Sequence, residues 1–258
     1  HPSGKPESDQ STIGLYFTDQ PPRTAFTGVQ LPPAFGALSG VDIPAGNKAY
    51  KVTDSFTLPI DVEAFAISAH AHYLGKHLQM TATLPTGKQL NLLDIPDWDF
   101  SWQEQYQFKD FIKLPKGTRL DSMVVWDNSA ANPNNPTVPP VRVRWGVESE
   151  DEMGSLTLLC RPGPGERYAT LTTAYARHLA EVRTRTTRKM ATRVQGANGD
   201  ALLDALLRRY DRNRNGKIDL SEAPRWLKSS FNRADTNNDN AIDAAELRAT
   251  RDRLRLNR

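Results

Sequence analysis

Between residues 49 and 159 the apolar residues fall in short runs, each alternating with polar residues and broken about every ten positions by Pro, Gly or Asn. AYKVTDSFTL, VEAFAISAHAHYL, HLQMTATL, KQLNLLDI, QYQFKDFIKL, TRLDSMVVW and SLTLL carry this pattern, and IGLYF (Ile13 to Phe17) precedes them. Period two is the spacing of a strand that buries one face. With LPTGK (Leu84 to Lys88) and LPKGT (Leu114 to Thr118) as hairpin turns, the pattern predicts a mainly β, antiparallel, jelly-roll-like sandwich. SAANPNNPTVPP (Ser129 to Pro140) holds too much Pro and Asn for a central strand and is placed in an exposed loop.

After CRPGPGE (Cys160 to Glu166) the period changes. Leu171, Tyr175, Leu179, Val182 and Met190 recur at helical spacing, while Arg177, Arg183, Arg185, Arg188 and Lys189 turn mostly outward. A long amphipathic helix ending near QGANG (Gln195 to Gly199) follows from this, and ALLDALLRRY and APRWLKSSFNRA predict two shorter ones. The chain therefore reads as a β-sandwich over 1–160, a linker and long helix over 161–199, and an all-α tail over 200–258.

Charge sharpens that division. The formal +3 of the whole chain splits into 12 basic against 18 acidic residues up to Cys160, net −6, and 21 against 12 beyond it, net +9. The positive excess is spread around helices whose loops are acidic, which predicts a solvated or domain-contacting face and no nucleic-acid partner. A single cysteine excludes an internal disulfide and any Cys-rich metal site. No stretch approaches the roughly 20 apolar residues of a membrane span. The chain opens on His1 without Met or a signal segment, so it is expected to be processed or part of a longer protein.

Two twelve-residue segments in the tail carry oxygen ligands at the spacing of a calcium loop, DRNRNGKIDLSE and DTNNDNAIDAAE. Calcium takes six to eight hard oxygens, supplied by positions one, three, five and nine, a carbonyl at seven and a bidentate Glu at twelve. Those are Asp211, Asn213, Asn215, Lys217 (carbonyl), Asp219 and Glu222 in the first loop. In the second they are Asp235, Asn237, Asp239, Ala241 (carbonyl), Asp243 and Glu246. Ile218 and Ile242 sit at position eight, where paired loops make a short β contact, and Gly216 suits the tight turn. Asn240 replaces that glycine in the second loop, and Asn is the next best residue for a left-handed backbone. Two Asn in the first loop predict modest affinity and a mainly stabilising role. Only twelve residues separate the loops, so one helix is expected to serve both. The tail resembles the short EF-hand pairs appended to bacterial secreted and envelope proteins.

The candidate chemistry belongs to the β part. In VEAFAISAHAHYLGKH, alternation puts Phe65, Ile67, Ala69, Ala71 and Tyr73 on one face and Ser68, His70 and His72 on the other. Two imidazoles at i and i+2 stand about 7 Å apart along the strand, near enough to converge on one ion. His77 and His178 are left out of the site, the latter as a surface or packing residue.

HAHYLGK (His70 to Lys76), followed by ESEDEMGSLTLL (Glu148 to Leu159) and preceded by VDIPAGNK (Val41 to Lys48), closely resembles the second catalytic domain of the copper type II, ascorbate-dependent monooxygenases. This is the family of peptidylglycine α-hydroxylating and dopamine β-monooxygenases, and the likeness covers Ile13 to Leu159. It implies copper held by His70, His72 and Met153, and hydroxylation of a substrate C–H bond with O₂. It also implies ascorbate or another donor delivering electrons through a second copper, in an upstream domain near which His1 would fall. An extracytoplasmic location goes with that chemistry. Independently of the family, two imidazoles and a thioether form a soft site suited to copper cycling between its two oxidation states. Ser68, Ser155 and Thr157 stand where peptide-hydroxylating members hold the substrate carboxylate, so a peptidylglycine substrate is not expected and a neutral small molecule or different peptide is. Trp98, Phe100 and Trp102 in DWDFSW are expected to be aromatic core at period two. The alternative reading is a non-catalytic metal-binding module whose EF-hands set a calcium-dependent interaction.

Overall fold

The structure is a computed structural model describing residues 5–6, 8, 10–21, 25–196, 207, 210–211, 213, 215–223, 228, 231–243, 245–246 and 249. His1, and most of the two short helices expected over 201–210 and 223–234, lie outside these residues. The chain divides into two compact units, one formed by 1–36 and 41–176, the other by 37–40 and 177–258.

The first unit is built of antiparallel strands. One four-stranded sheet contains β1 (Thr27–Leu31), β4 (Val62–Ala71), β7 (Gln105–Leu114) and β10 (Gly154–Pro162), in the order β1-β10-β4-β7. The other contains β3 (Tyr50–Thr57), β5 (Gly75–Thr83), β6 (Gln89–Ile95) and β8 (Arg119–Trp126), in the order β3-β8-β5-β6. A two-residue ribbon, β2 (Asp42–Ile43) with β9 (Val143–Arg144), lies beside them. One core receives the inward residues of both sheets, among them Val29, Leu31, Ile67, Leu78, Met80, Leu120, Val124, Trp126, Leu156 and Leu158. Leu171, Ala174 and Tyr175 of α1 (Tyr168–Gly196) join it, and the Tyr175 hydroxyl donates to the Gln30 carbonyl at 2.8 Å. Cys160 is free and buried there, its thiol pushed up to about 12 by burial.

Several expectations from the alternation pattern are corrected. Ile13, Leu15, Tyr16 and Phe17 form no strand and stand exposed, because no neighbouring strand receives their backbone. The strand in that part of the sheet is TGVQL, which pairs with β10. A bulge at Phe65 shifts the register between Ala64 and Ala66 against both neighbouring strands. The extra residue turns Phe65 away from the face of Ile67 and packs it against the exposed Phe26 and Phe111 rings. Tyr73 also leaves that face, since β4 ends at Ala71, and its ring packs 4.4 Å from Phe100. DWDFSW is a connection between β6 and β7, not a strand, so only Trp98 is buried and Trp102 is exposed. The Pro- and Asn-rich segment is irregular, but Asn135 is buried and donates to Asn128, whose own amide reaches three backbone carbonyls.

Gly75 shows why the turn after the histidines needs a glycine. A Cβ there would lie 2.5 Å from Trp98 Cδ1 and 2.8 Å from Ala71 Cβ, both fixed in the core. Gly75→Ala is therefore expected to lower unfolding free energy by about 1–3 kcal/mol through overpacking, measured as the shift in urea midpoint.

In the second unit, His178 and Val182 of α1 are buried. A small cluster unites Ile218, Ala223, Phe231, Ala234 and Ile242, with Leu207 and Tyr210 against it. β11 (Ile218–Asp219) and β12 (Ala241–Ile242) form a two-stranded ribbon, and Phe231–Ala234 is helical, α2. Among the described residues no helix is long and apolar enough to cross a membrane.

Candidate metal centres

At the end of β4 the His70 and His72 ring centroids lie 5.2 Å apart, edge to face. Each ring has its Nδ1 committed to an oxygen. His70 Nδ1 is 2.6 Å from Gln103 Oε1, and Gln103 is oriented by its amide donating to the Phe100 carbonyl at 2.9 Å. His72 Nδ1 is 3.0 Å from the Asp151 carbonyl. An oxygen acceptor requires a proton on Nδ1, which leaves Nε2 of each ring as the nitrogen available to a metal. Burial lowers the His70 pKa, the Gln103 hydrogen bond opposes this and the charge of His72 adds to it, favouring the neutral ligand form. This donor set fits a copper ion.

Met153 sits immediately before β10. It is buried and lies one residue beyond the Gly154–Ala71 pair that ends the ladder, as His72 does on the other strand. Ser155 is buried opposite His70, and its Oγ makes no hydrogen bond among the described residues. Phe35 packs edge to face on His70 with centroids 5.4 Å apart, and Phe100 on His72 at 6.1 Å. Phe35 holds a left-handed backbone, φ 51°, fastened by Gln30 Oε1 accepting its N–H and by Trp145 Nε1 donating to its carbonyl. His77 is bound instead to Asp94 at 2.6 Å.

Glu152 is the residue that sequence reasoning underused. Fully buried, it accepts the backbone N–H of Leu74 at 2.6 Å and of His72 at 3.1 Å, and the indole N–H of Trp126 at 2.8 Å. It thus ties the turn after the histidines to the start of β10 and to β8. Desolvation pushes its pKa up to about 8 against the downward pull of these donors and the Met153 N–H. Its acidic neighbours in SEDEM gave it the look of a surface residue, and the only signal of its role was its place next to Met153.

The tail holds the second centre. Oxygens of Asp235, Asp239 and Glu246 lie within 4.8 Å of one another. The Glu246 carboxylate accepts N–H groups from Thr236, Asn237 and Asp243, and Asp235 accepts those of Asp239 and Asn240. Burial raises the Glu246 pKa, but the N–H donors outweigh it and hold the carboxyl below its ordinary value. Asn240 has φ 60° and Gly216 φ 80°, the left-handed turns that the loops need. In the first loop Asp211 accepts the N–H groups of Asn215 and Gly216, Asp219 accepts both the Asn213 and Asn215 side-chain amides, and Glu222 accepts the Asp219 N–H. Ile218 pairs with Ile242 across the ribbon. Converging carboxylates with the remaining positions rich in oxygen fit calcium.

No curated protein matches the chain. The EF-hand family matches residues 203–222 and 227–249, which brings both loops into EF-hand segments and gives the tail its calcium-binding character.

Proposed function

We propose that the β unit is the substrate-hydroxylating half of a copper-dependent, O₂-activating monooxygenase, with the EF-hand tail as a calcium-stabilised appendage. The observation that supports this best is the pair of imidazoles, both fixed through Nδ1 with their rings 5.2 Å apart. His70 and His72 would hold copper through Nε2, and the Met153 thioether would be the third ligand. Copper supplies one-electron redox chemistry and O₂ activation when bound. Gln103 and the Asp151 carbonyl fix the tautomers, and Glu152 fixes the backbone that carries His72. Phe35 and Phe100 flank the imidazoles with apolar edges, which suits a neutral substrate C–H bond. Ascorbate or another donor would supply the electrons, through a copper domain upstream in the same chain or in a partner, outside the cytoplasm.

Copper titration of the chain, followed by Cu(II) paramagnetic resonance and Cu(I) X-ray absorption, tests the site. One copper per chain with nitrogen and sulfur ligands is expected, with binding weakened at least 100-fold in His72→Ala and the sulfur signal lost in Met153→Ala. Ascorbate-dependent O₂ consumption with the upstream copper domain present tests the activity. Copper binding unchanged in His72→Ala sinks the site, and copper binding without O₂ consumption leaves a metal-binding module instead.

A further inference from the structure

The two calcium loops are connected by more than their ribbon. β11 and β12 pair Asp219 with Ala241 and Ile218 with Ile242, which lays position seven of the first loop beside the second. Lys217 occupies that position. Its N–H donates to Asn215 Oδ1 inside its own loop, while its ammonium leaves that loop and lies 2.6 Å from Asp239 Oδ2, the fifth-position ligand of the second. Asp239 Oδ2 also accepts the Asn237 amide at 3.2 Å, and Oδ1 accepts the Ala241 N–H. The lysine thus places a positive charge on one of the three converging carboxylates of the second loop.

We propose that Lys217 is the resident cation of the second loop: a divalent ion enters there by exchange with the Lys217 ammonium, so Lys217 sets the affinity of the loop it does not belong to. This rests on the EF-hand reading of the loops. Asp239 is one of four carboxylates among the six ligand positions of the loop, with Asp235, Asp243 and Glu246, and the charge it gives to the ammonium is charge that a calcium ion must take over. The opposed shifts agree with an engaged pair. The hydrogen bond and charge of Asp239 hold the Lys217 pKa above its usual value, with Asp243 and Glu246 adding to it, and the hydrogen bond from Lys217 leads in holding Asp239 below its own. A lysine suits exchange, since its long flexible stem releases a hydrated point charge more readily than the fork of an arginine.

Calcium titrations of the full chain, read at the Gly216 and Asn240 amides by nuclear magnetic resonance, resolve the two loops. Lys217→Met is expected to tighten the second loop by about 3–5-fold, the upper part of the range of an exposed ion pair, and to leave the first within about twofold. Lys217→Arg is expected to weaken the second loop, and the ε-methylene signals of wild-type Lys217 to shift as that loop fills. Arg233→Gln, which removes a nearby cation two residues before Asp235, should leave the second loop within about twofold. Equal tightening of both loops, or equal effects of Lys217→Met and Arg233→Gln, would reduce Lys217 to background charge and overturn the proposal. An unchanged second loop in Lys217→Met overturns it directly. Failure of wild-type protein to bind calcium at either amide overturns the EF-hand reading beneath it.

Discussion

Glu152→Ala is expected to lower the unfolding free energy of the β unit by about 3–5 kcal/mol, since it orphans buried N–H donors at about 1–3 kcal/mol each. The donors are the backbone of His72 and Leu74 and the indole of Trp126, all within 3.1 Å of the carboxylate. Urea unfolding of copper-free protein, followed by tryptophan fluorescence, measures the loss. Glu152→Gln keeps the shape and one acceptor but points an amide N–H at other N–H groups, so a smaller loss is expected. The pH dependence has a definite sign. With the folded pKa raised to about 8 from an ordinary 4.5, the contribution of this carboxyl is fully present below 4.5 and is lost as pH rises through about 8. The midpoint of wild-type protein should therefore fall over that window relative to Glu152→Gln. A wild-type midpoint that rises with respect to Glu152→Gln over the same window would contradict a buried, neutral-leaning Glu152. If the proposed copper site is occupied, its affinity should fall together with stability in Glu152→Ala, about 10–100-fold, because Glu152 holds the backbone of the proposed ligand His72 in place.

Calcium removal is expected to have the next largest effect, confined to the tail. Among the described residues its cluster includes Ile218 and Ile242, which lie inside the loops themselves, so the loops and the cluster order together. A hundredfold excess of calcium over its dissociation constant adds about 2.7 kcal/mol to the folded tail. Far-UV circular dichroism should show a separate thermal transition that rises with calcium, falls with chelator and leaves the β transition in place. Glu246→Gln should remove the response of the second loop, and Glu222→Gln that of the first, each by deleting the bidentate ligand. Acid acts in the same direction as chelator. The Glu246 carboxyl lies below its ordinary 4.5 in the folded state, so its contribution is present above 4.5 and is lost as pH falls below it. A tail transition insensitive to calcium would remove the stabilising role.

The two centres were legible in the sequence to different depths. The calcium loops are local: all twelve positions of each lie in one continuous segment, so spacing alone assigned Asp211 to Glu222 and Asp235 to Glu246, and the ribbon joins Ile218 to Ile242 as position eight required. The strands were legible wherever alternation was long, as in β3, β5, β7 and β8. It failed at IGLYF, where apolar residues suggested a strand that no neighbour completes, and at Phe65, where one extra residue reversed the face. Neither a missing strand partner nor a bulge leaves a mark in local composition.

The sequence by itself determined the β-rich first part, the helical tail with its calcium loops, and the candidate ligands His70, His72 and Met153, because each depends on residue types at short fixed spacings. Only the tertiary structure decided what holds them. Gln103 and Asp151 reach the two imidazoles from 33 and 79 residues away, and Glu152 fastens the histidine turn from 78 and 80. The ammonium of Lys217 reaches Asp239 22 residues on. Such contacts depend on strand register and on the bends of the chain, which are set by the packing of all the strands together and not by any one segment.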